Sequence, residues 1–173
     1  MEIPRLATSR LVLRGLTADD LDPCARMMAD PEVTRYLGTG KPIDRAETWR
    51  QLALFIGHWE LRGFGMWAVE ERATGRFIGR IGCYEPEGWP GFELGYVLAR
   101  DAWGQGLARE GAVAALTFAQ QVLRRDPVIS LIRPANRASI AVAGSLGGRR
   151  TGSVELFGAP SDVYTYPAQW VSA

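Results

Sequence analysis

The chain has 173 residues, 47% of them hydrophobic, and 20 basic side chains against 19 acidic ones. Such a length suits one domain, 1–173, that encloses a core of its own. A net charge of +1 excludes the broad basic face with which proteins grip nucleic acid through its phosphates, and no apolar run approaches the roughly 20 residues of a membrane span.

The opening residues, Met1-Glu2-Ile3-Pro4-Arg5, lack the basic-then-apolar layout of a signal peptide, so a cytoplasmic location is expected. Arg10-Leu11-Val12-Leu13-Arg14 alternates as a first strand does. Thr17 then stands as an N-cap ahead of Asp19 and Asp20, predicting a helix that runs to about Ala29 and stops at Asp30-Pro31. Gly38-Thr39-Gly40-Lys41-Pro42 is a breaker cluster. From Asp44 to about Leu61 a second helix carries Ala46, Trp49, Ala53 and Ile56 on one face and Leu52, Phe55 and Trp59 on its neighbour. His58, within it, is the only histidine and reads as a packing or surface residue.

Residues 66–71 and 76–84 read as a hairpin joined by Arg72-Ala73-Thr74-Gly75. Cys83 fits the second strand as a small buried thiol. With Cys24 the only other cysteine, neither a disulfide framework nor a metal site is expected. Turn chemistry fills 85–91, and a buried strand, 92–98, follows. Next come a polar connection, the turn Trp103-Gly104-Gln105-Gly106, and a helix opening at Leu107-Ala108 with apolar residues at helical spacing to Leu123. Residues 128–132 form an apolar run between Pro127 and Pro134, as a buried parallel strand would. Asn136 to Leu146 predicts another helix, and 152–157 with 163–166 a closing antiparallel pair around Gly158-Ala159-Pro160. The fold class is α/β (α+β): a mixed central sheet with helices on both faces.

Strand, glycine turn and helix, in that order, make an anion site. Unpaired amides and the positive end of the helix macrodipole share one small volume there, and Gly104 and Gly106 put no Cβ in the way. A dinucleotide fingerprint would need glycine where Arg109 stands, and a P-loop would need a Gly-Lys-Ser/Thr ending, whereas Lys41 is the only lysine.

Trp103-Gly104-Gln105-Gly106-Leu107-Ala108 does resemble the coenzyme A signature of the GNAT acyltransferases, in the aromatic-Gly-x-Gly-x-Ala form of the ribosomal-protein alanine N-acetyltransferase branch. Glu93-Leu94-Gly95-Tyr96 before it, and Asn136-x-x-Ser139 with Leu146-Gly147 after it, extend the likeness. The order β-αα-βββ-α-β-α-ββ carries it over nearly the whole chain. Gly148 stands where the family usually has phenylalanine and Gly144-Ser145 replaces a charged pair, changes that weaken the last helix.

The resemblance implies acetyl-CoA as cosubstrate, with its pantetheine arm entering a gap between the central strand and the next parallel one. It places the backbone of Val97, Leu98 and Ala99 along that arm, and the amides of Gln105, Gly106, Leu107 and Ala108, with Gly104 relaxing the turn, on the pyrophosphate. Asn136 falls at the position that bonds the arm, or simply caps its helix. Ser139 falls at the position that protonates the departing sulfur. Glu93, on the face opposite Phe92, Leu94 and Tyr96, is the candidate base, directly or through water. The acceptor is expected to be a protein N-terminal α-amine or a small-molecule amine, selected by loops 38–44 and 85–91, where Glu85, Glu87 and Trp89 suit a cation. The alternative is an acyl-CoA sensor of the same fold without turnover. Neither nucleic acid nor membrane is an expected partner, and the final hairpin suits a monomer or a homodimer.

Overall fold

The computed structural model describes residues 2–168. Met1 and residues 169–173, which the expected 1–173 domain also covers, lie outside the described residues. One eight-stranded sheet organises the rest, in the order β1-β2-β3-β4-β5-β6-β8-β7. Its strands are β1 (Leu6–Ala7), β2 (Leu11–Arg14), β3 (Met66–Glu71), β4 (Phe77–Tyr84), β5 (Glu93–Leu98), β6 (Ile129–Ile132), β7 (Arg149–Leu156) and β8 (Ala159–Thr165). All neighbours pair antiparallel except β5 and β6, which run parallel.

The helices are α1 (Leu21–Met28), α2 (Pro31–Thr34), α3 (Arg45–Arg62), α4 (Leu107–Thr117) and α5 (Arg137–Ser145). Most expected elements form within a residue or two, and the differences have local causes. The helix expected from Thr17 opens as a 3-10 turn, Ala18–Asp20. Asp20 is drawn aside there, accepting from Thr17 N–H and from both terminal nitrogens of Arg14. Pro31 ends the first helix as expected but sits in the first turn of α2, where its missing N–H costs nothing. The central helix finishes as a π turn, Phe118–Val122. The closing hairpin is longer than expected, because its turn needs only Phe157 and Gly158, both with positive φ (51° and 72°), so Ala159 and Pro160 join β8.

One face of the sheet holds the main core, where Leu11, Leu13, Ile81, Leu94, Ala112, Ala115 and Leu116 are fully buried against α4. The other face is covered by α1 and α3, through Leu16, Cys24, Leu52, Met66 and Ala68. Helix α5 forms despite the glycines at its end. Gly147, at φ 78°, turns the chain, and Gly148 N–H closes on Ala143 O at 2.9 Å. The phenylalanine usual in the family would have no room at 148. A Cβ there would lie 2.8 Å from Ala143 O and 3.1 Å from the Tyr166 ring, which occupies that space instead.

Candidate active site

The parallel ladder between β5 and β6 comprises one residue pair, Glu93 with Ile129, and beyond it the strands part. Two side chains close the apex. Ser130 Oγ donates to Leu94 O, and Leu131 N–H, which a continuing ladder would send to β5 backbone, reaches Glu93 Oε1 at 3.4 Å instead. Along β5 the backbone alternates. Ala99 N–H bonds Ile78 O of β4, so Val97, two residues earlier, also turns its groups to β4, and the groups facing the gap belong to Tyr96 and Leu98. Both backbone groups of Ala99 are engaged, its N–H with Ile78 O at 2.8 Å and its carbonyl with Ala102 N–H at 3.0 Å. Of the three residues expected along a pantetheine arm, Leu98 alone therefore presents an amide to the gap, and Tyr96 is the second.

At the far end of β5 the turn is built from backbone. Gly104 and Gly106 hold left-handed conformations, φ 73° and 75°, and a Cβ on Gly104 would meet nothing within 4 Å. The first bond of α4 runs from Glu110 N–H to Gly106 O, so the amides of Gln105, Gly106, Leu107 and Ala108 are left without backbone partners among the described residues. Trp103 ties the turn to the gap, its indole donating to Leu98 O at 2.8 Å. Arg10 holds it from the other side, donating through Nη1 to Gln105 O at 2.9 Å and through Nε to Glu110 at 2.6 Å. Nothing local in the sequence marks Arg10 for this role, because its partners lie about a hundred positions downstream.

Glu93 is partly buried, makes no ion pair among the described residues, and accepts the Trp89 indole N–H at 2.7 Å. Burial pushes its pKa up to about 7, against the opposing pull of the bonds from Trp89 and Leu131. Trp89 is itself packed edge-on against Tyr84, with ring centroids 5.0 Å apart, and lies beneath Phe157 at the hairpin tip. Arg133 joins the rim, donating to Gly38 O and Leu156 O, both at 2.9 Å. The two expected acceptor loops thus meet the closing hairpin, 38–44 through Arg133 and 85–91 through Trp89. The acids of 85–91 are turned to arginines: Glu85 lies 3.8 Å from Arg125 and Glu87 3.2 Å from Arg62.

Asn136 caps α5, accepting Ser139 N–H at 3.2 Å. Ser139 is half-buried in the first turn, its hydroxyl unbonded among the described residues, while its carbonyl accepts the Tyr96 hydroxyl at 2.9 Å. Burial, with Tyr166 close by, holds the Tyr96 pKa well above the ordinary value, so a protonated phenol stands beside this helix. His58 is a packing residue. Its Nδ1 lies 2.8 Å from Phe64 O, its Nε2 accepts Glu85 N–H at 3.1 Å, and its ring stacks on Tyr84. Buried Cys83 has its pKa pushed up to about 12, as suits an inert thiol.

The splayed parallel pair with a bare-amide turn at the strand end is the arrangement that the resemblance implied, and residues 10–149 match the GNAT acetyltransferase domain family. The chain belongs to the GNAT acetyltransferases. It is 28% identical to an N-acetyltransferase of Bacillus licheniformis, p20, over 93% of each chain. The crystal structure of an acetyltransferase from Agrobacterium tumefaciens superimposes with a TM-score of 0.86 at 33% identity, covering 96% of both chains. RimL, a ribosomal L7/L12 α-N-protein acetyltransferase solved in complex with coenzyme A, shares the fold at 20% identity and a TM-score of 0.76, over 94% of this chain and 96% of RimL. As a GNAT acetyltransferase the chain uses acetyl-CoA, and its open gap and unpaired turn amides fit that cosubstrate. Among the described residues no group of three or more His, Cys, Asp and Glu side chains is placed to hold a metal, and no helix is long and apolar enough to cross a membrane.

Proposed function

We propose that this GNAT protein transfers the acetyl group of acetyl-CoA to a primary amine, that of a protein N-terminus or of a small molecule, by direct attack on the thioester. The observation that carries the reading is Glu93: a carboxylate with pKa about 7, at the apex of the gap, fixed by Trp89 and Leu131. A base poised near neutrality suits an α-amine, whose own pKa is about 7.7–8.0.

The amides of Gln105, Gly106, Leu107 and Ala108 hold the diphosphate, with Gly104 giving the turn its shape. Tyr96 and Leu98 bond the pantetheine arm, assisted by Asn136. Acetyl-CoA supplies an activated acyl carbon. Glu93 takes the ammonium proton, directly or through water, and the freed nitrogen lone pair forms the new C–N bond. The Leu98 or Tyr96 amide steadies the carbonyl oxygen as it gains charge, a contribution of about 3 kcal/mol in other acyl transfers. The C–S bond breaks with its electron pair on sulfur, and the Ser139 hydroxyl protonates the thiolate and takes a proton back from solvent, Tyr96 being a second source close by. Nitrogen gives up its remaining extra proton to solvent through Glu93. Purified protein incubated with acetyl-CoA and a panel of amines releases thiol only when an acceptor is present; release that ignores the acceptor, or none with any amine, refutes the proposal.

A further inference from the structure

One charged side chain on the acceptor face has no counterpart. In the antiparallel pair β4–β5, residues directly opposite share a face. Arg80 with Val97, and Tyr84 with Glu93, therefore look the same way, and Gly82 with Gly95 between them contribute no side chain. Arg80 is only 9% exposed. Its Nη1 lies 3.3 Å from Met28 Sδ, its guanidinium sits 4.9 Å from the centre of the Phe55 ring, and its Nε has no partner. No carboxylate pairs with it among the described residues. Burial pulls its pKa below the usual arginine value, yet arginine remains charged in proteins. A buried cation is ordinarily retained only with an anion beside it.

Phe55 also touches Tyr84, and Tyr84 touches Trp89, whose indole holds Glu93. A continuous aromatic wall therefore runs from the guanidinium to the candidate base. One turn before Phe55 on α3, Gln51 Oε1 is likewise buried and unpartnered, an acceptor waiting for an N–H.

We infer that Arg80 is the counter-ion site for the acceptor: the amine that this protein acetylates carries a carboxylate close to the reacting nitrogen, as a free amino acid does. The inference rests on the acetyl-transfer reading above and narrows its acceptor. A single guanidinium balances a single carboxylate and matches it with parallel N–H donors. The covalent step is unchanged: C–N forms, C–S breaks, the amine loses protons through Glu93 and the coenzyme thiolate gains one, leaving an N-acetyl amino acid.

The test uses the full chain saturated with coenzyme A, a panel of amino acids with their carboxamides, and peptides that begin with aspartate, read by thermal shift and calorimetry. At least one amino acid or aspartyl peptide should bind on the order of 100-fold more tightly than the matching amide, the two arms separating a free amino acid from an acidic N-terminus. Arg80→Met should abolish that preference while leaving coenzyme A affinity unchanged, and its melting temperature should hold or rise, because an unpaired buried charge is removed. Arg80→Lys should keep part of the preference. Equal binding of acids and amides by the wild type, a preference that survives in Arg80→Met, or a fall in the Arg80→Met melting temperature that marks the guanidinium as a packing element would each overturn the inference. Thiol release is scored in parallel. Carboxylate binding without release counts against turnover alone, and release from amides that is indifferent to Arg80 counts against the counter-ion site alone.

Discussion

The indole N–H of Trp89 meets Glu93 Oε2 at 2.7 Å, linking the turn before β5 to the first residue of that strand. With Leu131 N–H on the other oxygen at 3.4 Å, the carboxylate is held by two donors and no cation, which is why burial dominates its titration. Glu93→Gln should lower kcat/KM by about 100-fold and remove the rise in rate through pH 7 that the wild type should show. Stability should move the other way. The folded pKa of about 7 exceeds the ordinary value of 4.5, so ionisation of Glu93 costs the native state more as pH rises from 4.5 to 7. The variant should therefore gain on the order of 3 kcal/mol relative to wild type at pH 8 and nothing at pH 4. Urea unfolding at the two pH values measures the difference.

Trp89→Phe keeps the ring against Tyr84 and deletes only the donor. Because that hydrogen bond favours the ionised carboxylate, its loss should carry the Glu93 pKa further up. The acid limb of the rate profile should move by about one pH unit to higher pH. A limb that stays in place would mean that another group titrates in the rate.

These dependences also show how far the sequence could be read. Periodicity and turn residues located β3 to β6 and α3 to α5 because each is decided locally, and the glycine turn announced itself through Gly104 and Gly106. The gap-facing residues did not. Alternation along β5 gives Tyr96 and Leu98 to the gap only once the bond from Ala99 N–H to Ile78 O is known, and that bond depends on how β4 pairs. Glu93 could be named from its strand position, but its raised pKa comes from burial, which only the tertiary fold supplies, against the opposing bonds from Trp89 and from Leu131, 38 positions away. Nothing in the sequence singles out Arg80, because only tertiary burial reveals that it has no counter-ion among the described residues.

Glu110 anchors the glycine turn, 103–106, to the start of the chain. It accepts from the Thr8 and Ser9 hydroxyls, from Arg10 N–H and from Arg10 Nε. Burial works against its charge, but these bonds outweigh it and hold the pKa down to about 2. The stabilisation is complete above pH 4.5 and is lost as pH falls toward 2. Glu110→Gln should lose about 1–3 kcal/mol at pH 7, lose that pH dependence, and raise KM for acetyl-CoA, since Arg10 would no longer be held against Gln105. Chemical denaturation and initial rates at varied acetyl-CoA test both halves.

Gly106→Ala separates backbone shape from steric room. The nearest atom to the added methyl would be Arg10 Nη2 at 3.6 Å, an ordinary contact, so the cost comes from the left-handed φ of 75°. A stability loss of about 1 kcal/mol is expected, with KM for acetyl-CoA raised and kcat changed little. A kcat collapse at unchanged KM would place this turn in the chemical step.

Gly148→Phe would restore what the family usually carries, and here it should damage the protein. Even a Cβ at this position meets Ala143 O at 2.8 Å, the same carbonyl that accepts the Gly148 N–H, and meets the Tyr166 ring at 3.1 Å. Tyr166 cannot simply retreat, because its hydroxyl bonds Ser130 Oγ at 2.8 Å and Ser130 in turn closes the apex of the gap on Leu94 O. The single substitution should cost about 1–3 kcal/mol or more by overpacking, and its strain should be transmitted to the gap as lower affinity for acetyl-CoA. Combining it with Tyr166→Ala should return part of the loss, because the ring contact is relieved while the carbonyl contact remains. The two changes should therefore couple strongly in a double-mutant cycle. Strict additivity would show that Tyr166 does not fill the place of the missing phenylalanine.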